Sequence, residues 1–163
     1  MTDTIKVGIS HGDINGIGYE VILKTLLDSR ILELCTPIIY GSPKVAAYHR
    51  KALNINNLSL NHIKSPKEAG PNKAHVLNCI DDDARVELGK STATAGQASY
   101  MALDLAVNDL REGLIDELHI AVTPTILGGG ERLFEGIDLR SAGYGCVRFE
   151  ASDMATHMIL QRK

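Results

Sequence analysis

The sequence predicts a three-layer αβα protein, Rossmann-like, with a mainly parallel sheet that ends in an antiparallel C-terminal hairpin. Three observations carry this reading. Strand-like apolar runs alternate with helical patterns from Ile5 to about Leu118, the grammar of parallel strands joined by crossover helices. The first strand breaks into a glycine loop that opens directly into a helix. After Pro124 the alternation stops, and Tyr144 to Ala151 and Ala155 to Gln161 follow one another with only the Ser152-Asp153-Met154 turn between them, too little chain for a parallel crossover.

Ile5, Val7 and Ile9 alternate as a buried strand does, and the run ends at His11-Gly12-Asp13 in a loop that carries Gly12, Gly16 and Gly18. The helix that follows should present Ile17, Val21, Ile22, Leu26 and Leu27 on its apolar face. Thr36 to Tyr40 reads as the second strand. Ser42 suits an N-cap and Pro43 the first helical position, so a helix should run from there to about Leu53. Leu58 to Ile63 alternates like a strand, Ser65 to Lys73 is a loop punctuated by Pro66, Gly70 and Pro71, and His75 to Ile80 is a further strand closed by Asp81, Asp82 and Asp83. Thr94-x-x-Gln97 is a capping-box pattern for a helix from about Ala95 to Glu112. Leu103, Ala106, Val107 and Leu110 form its buried stripe, and Gly113 stops it. Leu118 to Thr123 completes the parallel series, and Gly128 to Gly130 mark a flexible strand exit before a short apolar segment at Leu133-Phe134.

The totals set bounds on function. A chain of 163 residues fits one domain, residues 1–163, and can bury a sizeable core without staples. Its 44% hydrophobic and 23% charged residues are those of an ordinary globular protein. A formal net charge of -3, without a basic stripe, argues against nucleic acid as a partner. The first twenty residues lack a basic segment followed by an apolar one, and no apolar run reaches the length of a bilayer span, so a cytoplasmic protein with no membrane partner is expected. Cys35, Cys79 and Cys146 are odd in number, far apart and set in apolar stretches, which predicts buried free thiols.

Gly12, Asp13, Gly16 and Gly18 are the candidate ligand contacts, because glycines at a strand-to-helix turn let a phosphate approach the backbone at the positive end of a helix. They serve equally in a tight turn that only packs. Their spacing, G-x-x-x-G-x-G, is not the dinucleotide fingerprint G-x-G-x-x-G. Asp13 and Glu20 can be read as paired carboxylates, although Glu20 also suits the positive end of the helix dipole. His11 reads as a loop histidine with no catalytic role. Gly89-Lys90-Ser91 is not a P-loop, since Ala84 stands where the first glycine should be. Asp81 to Asp83 reads as a solvated acidic turn. His49, His62, His75, His119 and His157 are scattered singly over helix and strand patterns, so no catalytic and no metal-ligating residue is assigned from the pattern.

Two resemblances divide the chain. HGDINGIGYE, CTPIIYGSPKVAAYHRKAL and TATAGQASYMALDLAV, within residues 1–116, resemble the N-terminal part of bacterial 4-hydroxythreonine-4-phosphate dehydrogenase, the pyridoxal phosphate biosynthesis family. That family usually writes its first loop GDPAGIGPE; Ile14, Asn15 and Tyr19 depart from it, while Asp13, the glycines and Glu20 stay in place. From Leu114 onward, through Leu118-His119-Ile120 and TPTILGGGERLFEGIDL, the sequence resembles the C-terminal strands of the dihydrofolate-reductase-like family that includes the riboflavin-pathway reductase domain. The two meet around residues 112–117, and the resemblance as a whole implies a composite chain.

The dehydrogenase resemblance implies divalent-metal chemistry with NAD on a phosphorylated hydroxy-amino acid, and places that family's metal-binding histidines and phosphate-binding residues beyond the point where this chain leaves it. The reductase resemblance implies NADPH, with a Gly-Gly turn for which only Ala95-Gly96 stands here. Three functions are therefore expected. The first is a composite α/β scaffold without turnover. The others are an NAD-linked oxidoreductase or fragment of one, and a binder of a small phosphorylated ligand or nucleotide at the first glycine loop. The exposed edge of the parallel part favours self-association, which makes a homodimer the assembly to test.

Overall fold

The computed structural model describes residues 4–80, 84–122, 138–152 and 156–162, in two units, residues 1–115 and 116–163. The first unit is built on four parallel strands, β1 (Ile5–Ser10), β2 (Cys35–Gly41), β3 (Leu60–Ile63) and β4 (Ala74–Asn78), in the order β3-β4-β2-β1. Its helices are α1 (Gly18–Thr25), α2 (Arg30–Leu34), α3 (Pro43–Ala52) and α4 (Ala93–Arg111). The mainly parallel α/β sheet and the antiparallel C-terminal hairpin are both as the sequence predicts.

Pro37 sits in β2, a strand flanked on both sides, where a missing N–H would normally break a ladder. It is tolerated because pairing with β4 begins one residue later, at Ile38 opposite His75. The alternation of β2 then sends its side chains to two faces. Ile39, with Val76 of β4, joins a core made of Tyr19, Ile22 and Leu23 of α1 and Val45 and Ala46 of α3. Tyr40 points the other way, and its hydroxyl donates to Asp109 of α4 at 2.8 Å. Gly8 of β1 leaves room on the α4 side, where an added Cβ would press on the Ile115 side chain at 2.7 Å.

Three local expectations are corrected. The buried stripe of α1 is Tyr19, Ile22, Leu23 and Leu26, while Ile17, Val21 and Leu27 face outward. The helix begins at Gly18 with Tyr19 turned inward, so its register follows the aromatic ring rather than the aliphatic count. It also stops at Thr25, because Asp28 accepts the Arg30 backbone N–H and the Arg30 guanidinium, a turn that starts the separate short helix α2. The cap of α4 is Thr92 and not Thr94: Thr92 is extended and its hydroxyl accepts the Ala95 N–H, so the helix begins two residues earlier than expected. Gly113, in the left-handed region at φ 69°, ends α4 as expected. Ser42 and Pro43 cap and start α3 as predicted.

The second unit holds β5 (Glu117–Val122), β6 (Tyr144–Ala151) and β7 (Thr156–Arg162), antiparallel, with β7 between the other two. A register shift between Cys146 and Arg148 bends the outer strand β6. Cys146 is exposed there, against the expectation of a buried thiol, whereas Cys35 and Cys79 are half-buried; none of the three is in a disulfide among the described residues. Burial pushes the Cys79 thiol up to about 12. Asp81 to Asp83, Gly128 to Gly130 and Leu133-Phe134 lie outside the described residues.

Burial raises the pKa of Asp109, partly offset by the Tyr40 hydroxyl bond, which favours the carboxylate. An acid that keeps its proton longer when folded adds stability at low pH, and that stability is lost as pH rises from the ordinary aspartate range through the raised value. Asp109→Asn retains an oxygen for Tyr40 and removes the titration. Denaturant titrations across that window should show wild-type stability falling relative to the variant; parallel curves would contradict the burial of Asp109.

Candidate functional site

The loop from His11 to Ile17 leaves the carboxyl end of β1, where open α/β sheets place their ligand sites. Asp13 makes the turn: its carboxylate accepts the Asn15 N–H at 2.9 Å and its carbonyl the Gly16 N–H at 3.1 Å. Asn15 then ties the loop to the segment before α4. Its amide donates to the Lys90 carbonyl and the Thr92 hydroxyl, its side-chain oxygen accepts the Glu87 N–H at 2.7 Å, and its carbonyl accepts the Gly89 N–H. Ile14 is fully buried, and its carbonyl meets His49 Nε2 at 2.9 Å.

Behind the loop three rings stack. Tyr19 lies between His11 and His49, with ring centroids 5.3 and 5.1 Å away. The Tyr19 hydroxyl accepts the Ser42 N–H at 2.9 Å, and burial raises its pKa. His11 is 1% exposed, and neither of its ring nitrogens has a hydrogen-bond partner among the described residues. Burial lowers its pKa; the carbonyls of Gly12 and Ala98 and the Asp13 carboxylate favour its charged form but lose to desolvation.

The four candidate contacts separate on this geometry. Gly18 is filled by the chain itself, since a Cβ there would stand inside the His11 carbonyl. Gly16 is lined by Asp13 at ordinary contact distance. Gly12 differs: its φ is +67° and nothing lies within 4 Å of where its Cβ would be. Asp13 is exposed at the rim. Asp13 and Glu20 do not act as a pair, because Asp13 is spent on the turn and Glu20, in the first turn of α1, binds Lys24. Gly89-Lys90-Ser91 is a turn in which Lys90 pairs with Glu87, in keeping with its rejection as a P-loop.

Asn15, Tyr19 and His49 were not singled out as site residues from the pattern. The available signal was the departure of Ile14, Asn15 and Tyr19 from the usual loop, since all three proved to be buried. In the second unit, His119 and His157, expected to be scattered, are brought together with Nε2 and Nδ1 3.0 Å apart.

Four parallel strands with helices, and an open glycine at the first strand-to-helix turn, define the class: a parallel-sheet α/β protein. Residues 33–125 match the model of the family described as Pyridoxal phosphate biosynthetic protein PdxA, and the chain belongs to that family. Residues 102–158 match a second description, RibD C-terminal domain. A 4-hydroxythreonine-4-phosphate dehydrogenase of Bacteroides thetaiotaomicron is 58% identical over 113 residues, 69% of this chain and 30% of that protein. A putative D-threonate 4-phosphate dehydrogenase of Clostridium botulinum is 34% identical over 122 residues, 72% of this chain and 35% of that protein. Among solved structures, a 4-hydroxythreonine-4-phosphate dehydrogenase from Burkholderia phymatum superposes with a TM-score of 0.61 at 26% identity, covering 69% of this chain and 34% of that one. The chain thus spans about a third of the length of these relatives.

Among the described residues, no group of three or more His, Cys, Asp or Glu side chains converges as a metal centre, so the divalent-metal chemistry implied by the resemblance finds no such donor set in them. At the glycine loop, the chain itself fills the space beside Gly18, Asp13 lies at ordinary contact distance from Gly16, and the space beside Gly12 is open.

A base with a lowered folded pKa adds stability above its ordinary value, about 6.5 for histidine, and loses it as pH falls through the lowered one. His11→Phe keeps a ring against Tyr19 and cannot take a proton. Melting experiments from neutral to acidic pH should show wild type losing stability that the variant retains; equal slopes would contradict a buried neutral His11.

Proposed function

We propose that this chain is a composite α/β scaffold. Its PdxA-type unit holds a small phosphorylated ligand at Gly12, and it is joined near residues 112–117 to a RibD_C-type strand unit without turnover of its own. The observation that carries this reading is the hand-over between two family matches, 33–125 and 102–158, whose overlap brackets the boundary between the two units at Ile115 and Asp116. The ligand end is supported by the open, left-handed Gly12 and by Gly18, which brings α1 up to the turn without a side-chain cap on its first N–H groups. Asp13 at the rim orders the loop. Its negative charge disfavours a bare anion, so the ligand is one whose phosphate sits on a polar or cationic body.

A second reading is an NAD-linked, divalent-metal-dependent dehydrogenase or a fragment of one, favoured by the 58% identity to the Bacteroides thetaiotaomicron protein. A nucleotide such as NAD or NADP at the same loop is the broader form of the first reading. The cytoplasm as location and a homodimer as assembly belong to either one.

Amide spectra of the full chain, titrated separately with 4-hydroxythreonine 4-phosphate, NAD and NADP, separate these readings. The scaffold reading expects shifts centred on Gly12 and Asp13 with the phosphorylated amino acid, and stabilisation by about 2.7 kcal/mol at a hundred times the dissociation constant. It also expects no NADH formation when the phosphorylated amino acid, NAD and Mg2+ are combined. Metal-dependent NADH formation would replace it with the dehydrogenase reading, and unchanged loop amides with all three compounds would remove the ligand site.

A further inference from the structure

In the second unit, β5 and β7 are antiparallel neighbours, with His119 opposite Ile159 and Ala121 opposite His157. His119 and His157 are therefore diagonal neighbours on one face of the sheet, a separation that long side chains can bridge. Their rings are 5.2 Å apart between centroids and tilted by 57°, and His119 Nε2 lies 3.0 Å from His157 Nδ1. Arg148, Glu150 and Ile159 complete an open depression of about 240 Å³ around them. Glu150 pairs in register with His157, and its carboxylate accepts from the Arg148 guanidinium at 2.8 Å.

We infer that His119 and His157 form a two-imidazole chelate for a divalent late transition ion of the Cu2+ or Ni2+ kind. With metal–nitrogen bonds of about 2.05 Å, donors 3.0 Å apart subtend roughly 95° at the ion. That is the cis angle of a tetragonal or octahedral site, smaller than the tetrahedral angle that zinc prefers. Without metal, one ring donates an N–H to the other. On binding, the donating ring carries its proton on its other nitrogen, both lone pairs face the ion, and no proton is lost overall. The remaining positions are open to water, and Glu150 adds a carboxylate on the neighbouring strand.

The other described histidines offer no such pair. His49 and His75 are buried against the backbone carbonyls of Ile14 and Gly70. His62 is exposed on β3 and serves as a control.

The test is Ni2+ calorimetry on the full, untagged chain, with Cu2+ electron paramagnetic resonance as a readout that needs no variant. The expected results are one Ni2+ per chain, a loss of roughly tenfold or more in affinity for His119→Ala and for His157→Ala, and no change for His62→Ala. The copper spectrum should carry couplings from two nitrogens. Absence of saturable binding at millimolar Ni2+, binding that survives both substitutions, or a copper spectrum with oxygen ligands only would overturn the site.

Discussion

Four elements of the first unit, β1, β2, α1 and α3, meet where α1 starts against the end of β1. The His11 carbonyl occupies the space that a Cβ on residue 18 would need, so only glycine lets the helix begin this close to the strand. Tyr19, one residue on, is thereby driven into a fully buried slot between His11 and His49. Its hydroxyl reaches the backbone at Ser42, across Gly41, where again a Cβ would collide with that hydroxyl. Two glycines and one tyrosine thus hold β1, β2, α1 and α3 at one point, and Asn15 adds the segment that leads into α4.

This arrangement gives three of the four glycine-loop candidates a structural task. A phosphate needs backbone N–H groups that face solvent, and a tight strand-to-helix turn uses up most of its own. Asp13 takes the N–H groups of Asn15 and Gly16, and the His11 carbonyl covers Gly18. Of the four, Gly12 alone combines a left-handed backbone with open space, and its N–H donates to the Ser10 hydroxyl at 3.4 Å. The loop is braced from several elements and leaves open space beside Gly12.

The strands and helices were legible because their signals are local. Alternation at Ile5 to Ile9, Ser42-Pro43 before α3 and Gly113 after α4 each act within a few residues. The errors arose where a distant partner decided. The face of α1 turns on Tyr19 finding Ser42, and the cap of α4 on Thr92, whose hydroxyl also receives the Asn15 amide 77 residues away in sequence. His119 and His157 looked isolated because they are 38 residues apart, and only the β5–β7 register brings them onto one face. At the candidate site, sequence located the loop and its glycines but not the ring stack behind it. Ile14, Asn15 and Tyr19 are all buried behind the loop, and a sequence pattern that marks glycines and acids does not mark such buried partners.

The most direct measurement is native-state hydrogen exchange on wild type and Gly18→Ala, read amide by amide. If the β1–α1 contact is what the unit depends on, the slowest amides of β1, β2, α1 and α3 lose protection together and by the same factor, because they open as one cooperative block. Loss of protection confined to α1, with the strands and α3 unchanged, would show that the contact is only local and contradict its role as the point on which the unit is built.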